Sequence, residues 1–375
     1  MESCDVLVAG GGPAGSTCAG RLQQAGLDVL LLDSQIFPRQ KPCAGWITPP
    51  VFDALALDAD TYRQGRVLQD IENFRTGIIG GAPVVTRYGT TVSYGIRRCE
   101  FDHYLLQRCC VRRSLGEPVT TMVRHDSGWI VNGRIRTRLL VGAGGHFCPV
   151  ARLLGARIGR EAAVAAQVAE FALSPAEENM SSVPADTPAL FFCRDMKGYG
   201  WLFRKGNYIN VGLGRMDTTH LVQHTREFCT FLQHHGYLSA DLDGRFQGHA
   251  YRVYQGQGGR NCIGDGALLI GDAAGVAHSH SGEGILPAIE SAMMAADTIV
   301  SAKGDYRREK LKPYADSLTG RYGAGSEKVT PLHVPSLFLR MLGARLLSSK
   351  GFTRHIVLNR WFLHANQNML NSKQH

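Results

Sequence analysis

Ten cysteines are present, yet no two of them form a CxxC pair; Cys109 and Cys110 are adjacent and the others are scattered. That spacing excludes a zinc ribbon, a thioredoxin-like redox motif and a disulfide framework, and no metal site is expected. No secretory leader is visible. The apolar run Val6–Ala9 is too short for a signal core and leads straight into glycines, so the reducing cytosol is the expected compartment. Nor is there an uninterrupted apolar run of the roughly twenty residues a membrane span needs. Charge is modest, at 19% of residues, but unbalanced: the net charge is +9. Such a surface suits an anionic partner, whether a phosphorylated cofactor, an acidic carrier or an anionic lipid face. RNA-binding signatures and basic heptads are missing, which argues against nucleic acid. Internal repeats are missing too.

Glycine, by contrast, is abundant, and its placement carries information. Asp5–Ala9 reads as a short buried strand. Gly10, Gly11, Gly12, Pro13, Ala14 and Gly15 follow, then a helical stretch over Ala14–Ala25 stopped by Gly26, then a second strand, Asp28–Leu32, ending at Asp33. Strand, GxGxxG, helix, strand and acid occur in the order of a dinucleotide-binding fingerprint. Gly10 would make the tight turn, Gly12 would let the backbone approach a pyrophosphate, and Gly15 would allow close helix–strand packing. Pro13 suits the first helical turn, whose N–H groups and partial positive charge attract phosphate. Asp33 is placed to accept hydrogen bonds from ribose hydroxyls.

Toward the other end, Ala267–Gly275 reads ALLIGDAAG and continues HSHSGEGILPAIESAMMAADTI. An apolar strand ending in Gly271-Asp272 offers one acceptor beside a polyol. This segment resembles the second FAD motif of the p-hydroxybenzoate hydroxylase fold, in which the aspartate contacts the ribityl chain. Gly282-Glu283-Gly284-Ile285 resembles the GEGI segment of the geranylgeranyl reductase family, which lies by the isoalloxazine ring. Lys41-Pro42-Cys43-Ala44-Gly45-Trp46 is similar to that family's KPCGG segment, whose cysteine sits near the flavin. Gly198–Phe203 is similar to its YxWxF signature, and Arg98–Leu105 to the RxxFDxxL helix whose arginine approaches FAD. The implied cofactor contacts are Gly10, Gly12, Pro13, Ala14, Gly15, Asp33, Arg39, Lys41, Cys43, Ala44, Arg98, Gly144, Gly271, Asp272, Gly282, Glu283, Gly284 and Ile285. Cys43, Tyr199, Trp201 and Glu283 are the implied catalytic set.

Three departures from the family stand out. Arg204 replaces the proline after YxWxF, and Met196 replaces the one before it. Ala44-Gly45 replaces a glycine pair and leads into Trp46. Gly144-Gly145 stands where the hydroxylases carry an Asp-Gly tied to FAD and NADPH contact. The electron donor therefore stays open among NAD(P)H, a reduced flavin and ferredoxin.

The implied architecture is α/β: a Rossmann-like, p-hydroxybenzoate hydroxylase-like FAD-binding domain (1–55, 95–160 and 258–305), an inserted β-sheet substrate domain (56–94 and 161–257) and a helical C-terminal tail (306–375). Strands are expected over Ala163–Leu173, Pro188–Arg194, Tyr199–Phe203 and Tyr208–Gly214, and a helix over His220–Gly236 capped by Thr218 or Thr219. In the tail, Ser336–Leu347 has a broad apolar face beside Arg340 and Arg345, which suits packing on the protein or an interfacial, membrane-peripheral helix. Tyr199 and Trp201 alternate along a strand and share one face, either as plain core or as the apolar wall of a substrate site. Cys43 reads as a buried thiol or as a gate or proton donor at the flavin; His278 and His280 read as structural or as acids nearby. Taken together, the residues and the resemblance imply an FAD-dependent oxidoreductase that reduces carbon–carbon double bonds of a hydrophobic, isoprenoid-like substrate. The alternatives are an FAD-dependent monooxygenase acting on an aromatic, amino-acid or carrier-bound substrate, and a flavoprotein without catalysis.

Overall fold

A computed structural model describes residues 1–126, 128–158, 161, 163–175, 178, 182–238, 245–255, 260–323, 343, 345–367 and 370. The chain forms two compact units. The first comprises Met1–Gln40, Cys99–Ala162 and Tyr251–Lys328, the second Lys41–Arg98, Ala163–Ala250 and Val329–His375. Residues 41–55, expected with the FAD domain, thus group with the sheet-rich second unit, and the start of the tail, expected to stand apart, groups with the first. Most of Ser336–Leu347 lies outside the described residues.

The first unit is built on a sheet in which the strands Glu2–Ala9, Val29–Asp33, Arg112–Leu115, Ile135–Gly142 and Ala267–Leu269 run parallel, with Glu2–Ala9 between Val29–Asp33 and Ile135–Gly142. Val6, Leu7 and Val8 are fully buried, as are Leu139, Leu140 and Val141 beside them. Continuous apolar runs of this kind belong to parallel strands covered on both faces. The helix Pro13–Gln24 packs against the helix Ile285–Ser301, and their approach is close because Gly271, at φ +60°, lies between Ala14 and Ala288; a Cβ there would be 3.0 Å from the Ala14 methyl. The helix Arg308–Tyr322 covers Ile285–Ser301 in turn and donates the buried Tyr314 hydroxyl to the Leu269 carbonyl at 2.6 Å.

The second unit is a seven-stranded sheet ordered Gln247–Tyr251, Val164–Ala172, Tyr208–Arg215, Gly198–Lys205, Ala189–Phe192, Asn73–Ile78, Val84–Arg87. Only the Ala189–Phe192 and Asn73–Ile78 pairing in the path is parallel among those with described register. Period-two alternation assigns each strand residue to one of two cores. Leu202, Ile209, Val211 and Phe191 face the helix Leu221–His234 through Phe228, Phe231 and Leu232. Trp201, Phe203, Val168 and Leu190 face the other way, onto Phe74, Trp46, Val357, Leu358 and Phe362. The helix Leu221–His234 is capped by His220, which takes a left-handed φ of 59° and makes no side-chain cap bond, so neither threonine serves as the expected cap. No helix among the described residues is long and apolar enough to cross a membrane.

Gly200 fits under Phe228 because it has no side chain: a Cβ there would stand 2.5 Å from the ring. Gly200→Ala should overpack this face, costing about 1–3 kcal/mol and lowering the thermal midpoint. Phe228→Leu in the same chain should recover part of the loss. An unchanged midpoint for the single variant would contradict this packing.

Candidate flavin site

The glycine turn has the shape a pyrophosphate needs. At φ +121°, Gly10 has a backbone conformation that L-residues avoid, and a Cβ would run into the Ala143 carbonyl. A Cβ on Gly15 would overlap the Gly10 carbonyl oxygen. Gly12 is different: the only atom near its missing side chain is Nη2 of Arg39, at 3.4 Å. Arg39 is itself held by Asp102, whose carboxylate is fully buried and pairs with it at 3.2 Å, and its guanidinium lies over the Phe37 ring. The helix Pro13–Gln24 starts here without a side-chain cap and with Pro13 at its first position. Uncapped N–H groups, a helix N-terminus and an anchored arginine converge on one open turn, which fits the diphosphate of a dinucleotide. Arg39 is among the expected cofactor contacts; its anchor, Asp102, which the sequence does not mark as a site residue, lies on the helix Arg98–Arg108. Arg98 opens that helix and is 7% exposed. Asp33 is buried at the strand end, where Oδ2 accepts the Gly11 N–H at 2.7 Å and Oδ1 the Gln35 N–H at 2.8 Å. Each oxygen keeps a further lone pair.

The second motif of this unit forms a short helical turn at Gly271–Ala273. The Gly271 N–H donates to Ser291 Oγ at 2.9 Å, which ties the turn to the helix Ile285–Ser301. Asp272 Oδ1 would be 3.1 Å from a Cβ on Gly284, so its carboxylate stands at that helix's N-terminus, where the dipole favours a negative group. Gly282, at φ +70°, leaves room for the Tyr251 phenol, which a Cβ would strike. Ile285 is buried at the first helical position. A buried polar hub absent from the sequence reading braces the turn. Arg260 donates to Glu161 at 2.9 Å and to the carbonyls of Ala273 at 2.9 Å and His146 at 3.1 Å. Arg252 also pairs with Glu161, at 3.3 Å. The two arginines outweigh burial and hold the Glu161 carboxyl below its ordinary range. Burial, then the Arg260 charge, pulls His146 down and keeps it neutral. Gly144 sits against Cys148. With Gly144-Gly145 in place of an Asp-Gly pair, Glu161 and Asp272 are carboxylates that face this region.

Glu283 is the chemically distinctive residue of the first unit. Its carboxylate oxygens are buried. Burial, with the Glu290 charge adding to it, pushes its pKa up to about 8. Arg321 pairs with Glu290 at 3.0 Å and Tyr322 donates to it at 2.8 Å. At neutral pH Glu283 is therefore a carboxylic acid. His278 closes the preceding turn through backbone bonds, donating to the Glu283 carbonyl and accepting from the Gly282 N–H, both at 2.9 Å. Its ring meets Tyr322 edge-on at 6.0 Å. The exposed His280 pairs with Ser279.

In the second unit, Cys43, Ala44 and Gly45 form a turn in which the Gly45 N–H donates to Cys43 Sγ at 3.3 Å. Lys41 is partly exposed at its start. Trp46 stacks on Phe362 at 5.3 Å between centroids and lies 5.3 Å from Phe74. Tyr199 contacts Phe362 edge-on at 5.2 Å and Trp201 at 6.0 Å. Tyr199 and Trp201 do share a face, packed with Trp46, Phe74 and Phe362. Trp201 Nε1 donates to Asn210 Oδ1 at 2.8 Å. Arg204, the departure from the family pattern, donates to the Gly206 carbonyl at 2.7 Å and pairs with Glu178.

A family model described as an FAD binding domain matches residues 3–71. The menaquinone reductase of Mycobacterium tuberculosis is 29% identical, over 91% of this chain and 86% of the relative. Digeranylgeranylglycerophospholipid reductase 2 of Methanosphaera stadtmanae is 27% identical, over 86% of this chain and 84% of the relative. Among solved structures, a geranylgeranyl bacteriochlorophyll reductase-like protein from Thermoplasma acidophilum superposes with a TM-score of 0.76 at 20% identity, covering 98% of both chains. A flavin-dependent brominase shares the fold at a TM-score of 0.71 and 17% identity, covering 99% of this chain and 96% of its own. The glycine turn, the Gly271-Asp272 motif, the p-hydroxybenzoate hydroxylase-like fold and these relatives together make the chain an FAD-dependent oxidoreductase and support its likeness to the geranylgeranyl reductase family.

Proposed function

We propose that this oxidoreductase reduces carbon–carbon double bonds of a hydrophobic, isoprenoid-like substrate. The observation that carries the reading is Glu283: a carboxyl with both oxygens buried, its pKa pushed up to about 8 by that burial, on the Gly-Glu-Gly-Ile turn that the family resemblance puts beside the flavin ring. Reduced FAD, when bound, supplies a hydride and with it both electrons. Alkene reduction then needs one proton, on the neighbouring carbon, and a neutral carboxylic acid can give it. Glu283 becomes a carboxylate in that step and regains its proton from solvent.

The other residues position and shield. Gly12, Arg39 and the Pro13–Gln24 N-terminus hold the diphosphate, and Asp33 the ribose. Asp272 holds the ribityl chain. The aromatic face formed by Trp46, Phe74, Tyr199 and Trp201 takes an apolar chain and excludes water. Cys43 is the residue that the family resemblance puts near the ring, as a gate. Electrons come from NAD(P)H, a reduced flavin or ferredoxin. The charge of +9 suits a peripheral encounter with an anionic membrane surface or an acidic carrier that brings the substrate. The alternative is monooxygenation; the flavin-dependent brominase shares the fold alone and does not favour it.

The photoreduced holoenzyme, mixed anaerobically with prenylated lipids in a stopped-flow instrument, should recover its oxidised-flavin absorbance without oxygen. Recovery only on admitting oxygen, with every prenylated substrate, would overturn the reading. The pH dependence follows from the raised pKa: the acid form of Glu283 exists below about 8, so the single-turnover rate should fall as pH rises through that value. Glu283→Gln should slow the step by about 10²-fold or more and abolish the pH break while FAD stays bound. A break that persists in the variant would assign the proton to another group.

A further inference from the structure

We propose that Lys205, Glu170 and Asn210 are positioning residues for the reaction: a buried polar clamp that fixes the backbone of Cys43 and Ala44 from the strands of the second unit. The inference rests on the reading that the Cys43 segment serves the flavin.

Lys205 is 0% exposed in a strand whose same-face neighbours are Phe203, Trp201 and Tyr199. An ammonium out of water needs an acceptor for each of its three N–H donors. Lys205 has them: it pairs with Glu170 and donates to the carbonyl oxygens of Ala44 at 3.0 Å and Ile96 at 2.9 Å. Burial pulls its pKa down, and the Glu170 carboxylate pushes back. Glu170 faces Asn210 across the strand pair and accepts from its Nδ2 at 2.9 Å. The other Nδ2 hydrogen goes to the Cys43 carbonyl at 3.0 Å. An indole N–H can only donate, so Trp201 orients the Asn210 amide with its oxygen toward the indole and its nitrogen toward Cys43. Two consecutive carbonyls, Cys43 and Ala44, are therefore held by two side chains of the sheet. The glycines around the clamp fit it. Gly45 has a φ of +67° and a Cβ there would lie 2.8 Å from Lys205 Nζ; a Cβ on Gly95 would lie 2.9 Å from Lys205 Cγ.

Stability alone does not explain this arrangement, since an apolar pair of similar volume is commonly as stable as a buried ion pair. What the ions add is direction: hydrogen bonds that orient the turn carrying the Cys43 thiol. Within the stretch itself the Gly45 N–H meets the Cys43 sulfur at 3.3 Å, and the Gly45 carbonyl accepts from the Ile96 N–H at 2.7 Å.

Two variants of the full-length, FAD-loaded protein test the clamp. Lys205→Met with Glu170→Gln removes both charges at nearly constant volume; Asn210→Ala leaves the ion pair intact and removes the bond to Cys43. Alkylation by N-ethylmaleimide, resolved peptide by peptide in a mass spectrometer, reports Cys43, with the exposed Cys110 as internal reference. In both variants the Cys43-to-Cys110 rate ratio should change by about tenfold, the equilibrium effect of one ordinary hydrogen bond. With a prenylated substrate that reoxidises the wild-type flavin, the single-turnover rate should fall by a similar factor while bound FAD is unchanged. An unchanged labelling ratio, or an altered ratio with an undiminished rate, overturns the proposal and leaves the cluster a purely structural one. If no alkene reoxidises the wild-type flavin, the reductase reading fails, and the labelling ratio alone then decides whether the clamp exists.

Discussion

An ammonium group removed from water must be matched hydrogen for hydrogen, and the interior of the second unit is organised around meeting that requirement for Lys205. The match ties four separate pieces of chain together: the Cys43 turn, the end of the strand Ser93–Ile96 through the Ile96 carbonyl, the strand carrying Glu170 and the strand carrying Lys205 itself. It requires small residues at 45 and 95. Asn210 and Trp201 extend it along the same face, after which the surface turns aromatic, with Trp46, Phe74 and Tyr199. One face of this sheet is thus polar where it grips the Cys43 turn and apolar beyond it.

The first unit obeys a different constraint, that of backbone approaching backbone. Gly10 and Gly15 have no side chain because the Ala143 and Gly10 carbonyls occupy that space. Gly271 brings the helices Pro13–Gln24 and Ile285–Ser301 together. The helix N-termini and the Arg39–Asp102 pair supply positive potential, while Arg260 and Arg252 hold Glu161 beside the second motif. Against that background Glu283 is the exception, an acid whose surroundings favour its neutral form, through burial first and the neighbouring Glu290 second.

Much of this was legible in the sequence where the physics is local. Gly10, Gly12 and Gly15 announce a tight turn because few residues tolerate it, and Asp33 and Asp272 follow from strand ends. The strands Val164–Ala172, Gly198–Lys205 and Tyr208–Arg215 lie within a residue or two of the expected bounds because their alternation has period two. Long-range pairings were not legible. Asp102 anchors Arg39 from 63 positions away by their numbers, and Glu170, Lys205 and Asn210 meet the Cys43 turn only through sheet register. The one available signal was Lys205 itself, a charge at an inward position of an aromatic strand. The helix Leu221–His234 starts at His220 without a side-chain cap, so the nearby threonines misled. The Lys41–Trp46 segment, read by motif as part of the FAD domain, groups by contacts with the sheet that clamps it.

The account stands or falls on what the enzyme adds to its substrate. High-resolution mass spectrometry of the product formed under labelled oxygen gas, in labelled water, tests this directly. The account predicts a product heavier by two hydrogens per double bond, with at least one from solvent, and no labelled oxygen. A product that carries one labelled oxygen atom and keeps its double bonds would contradict it.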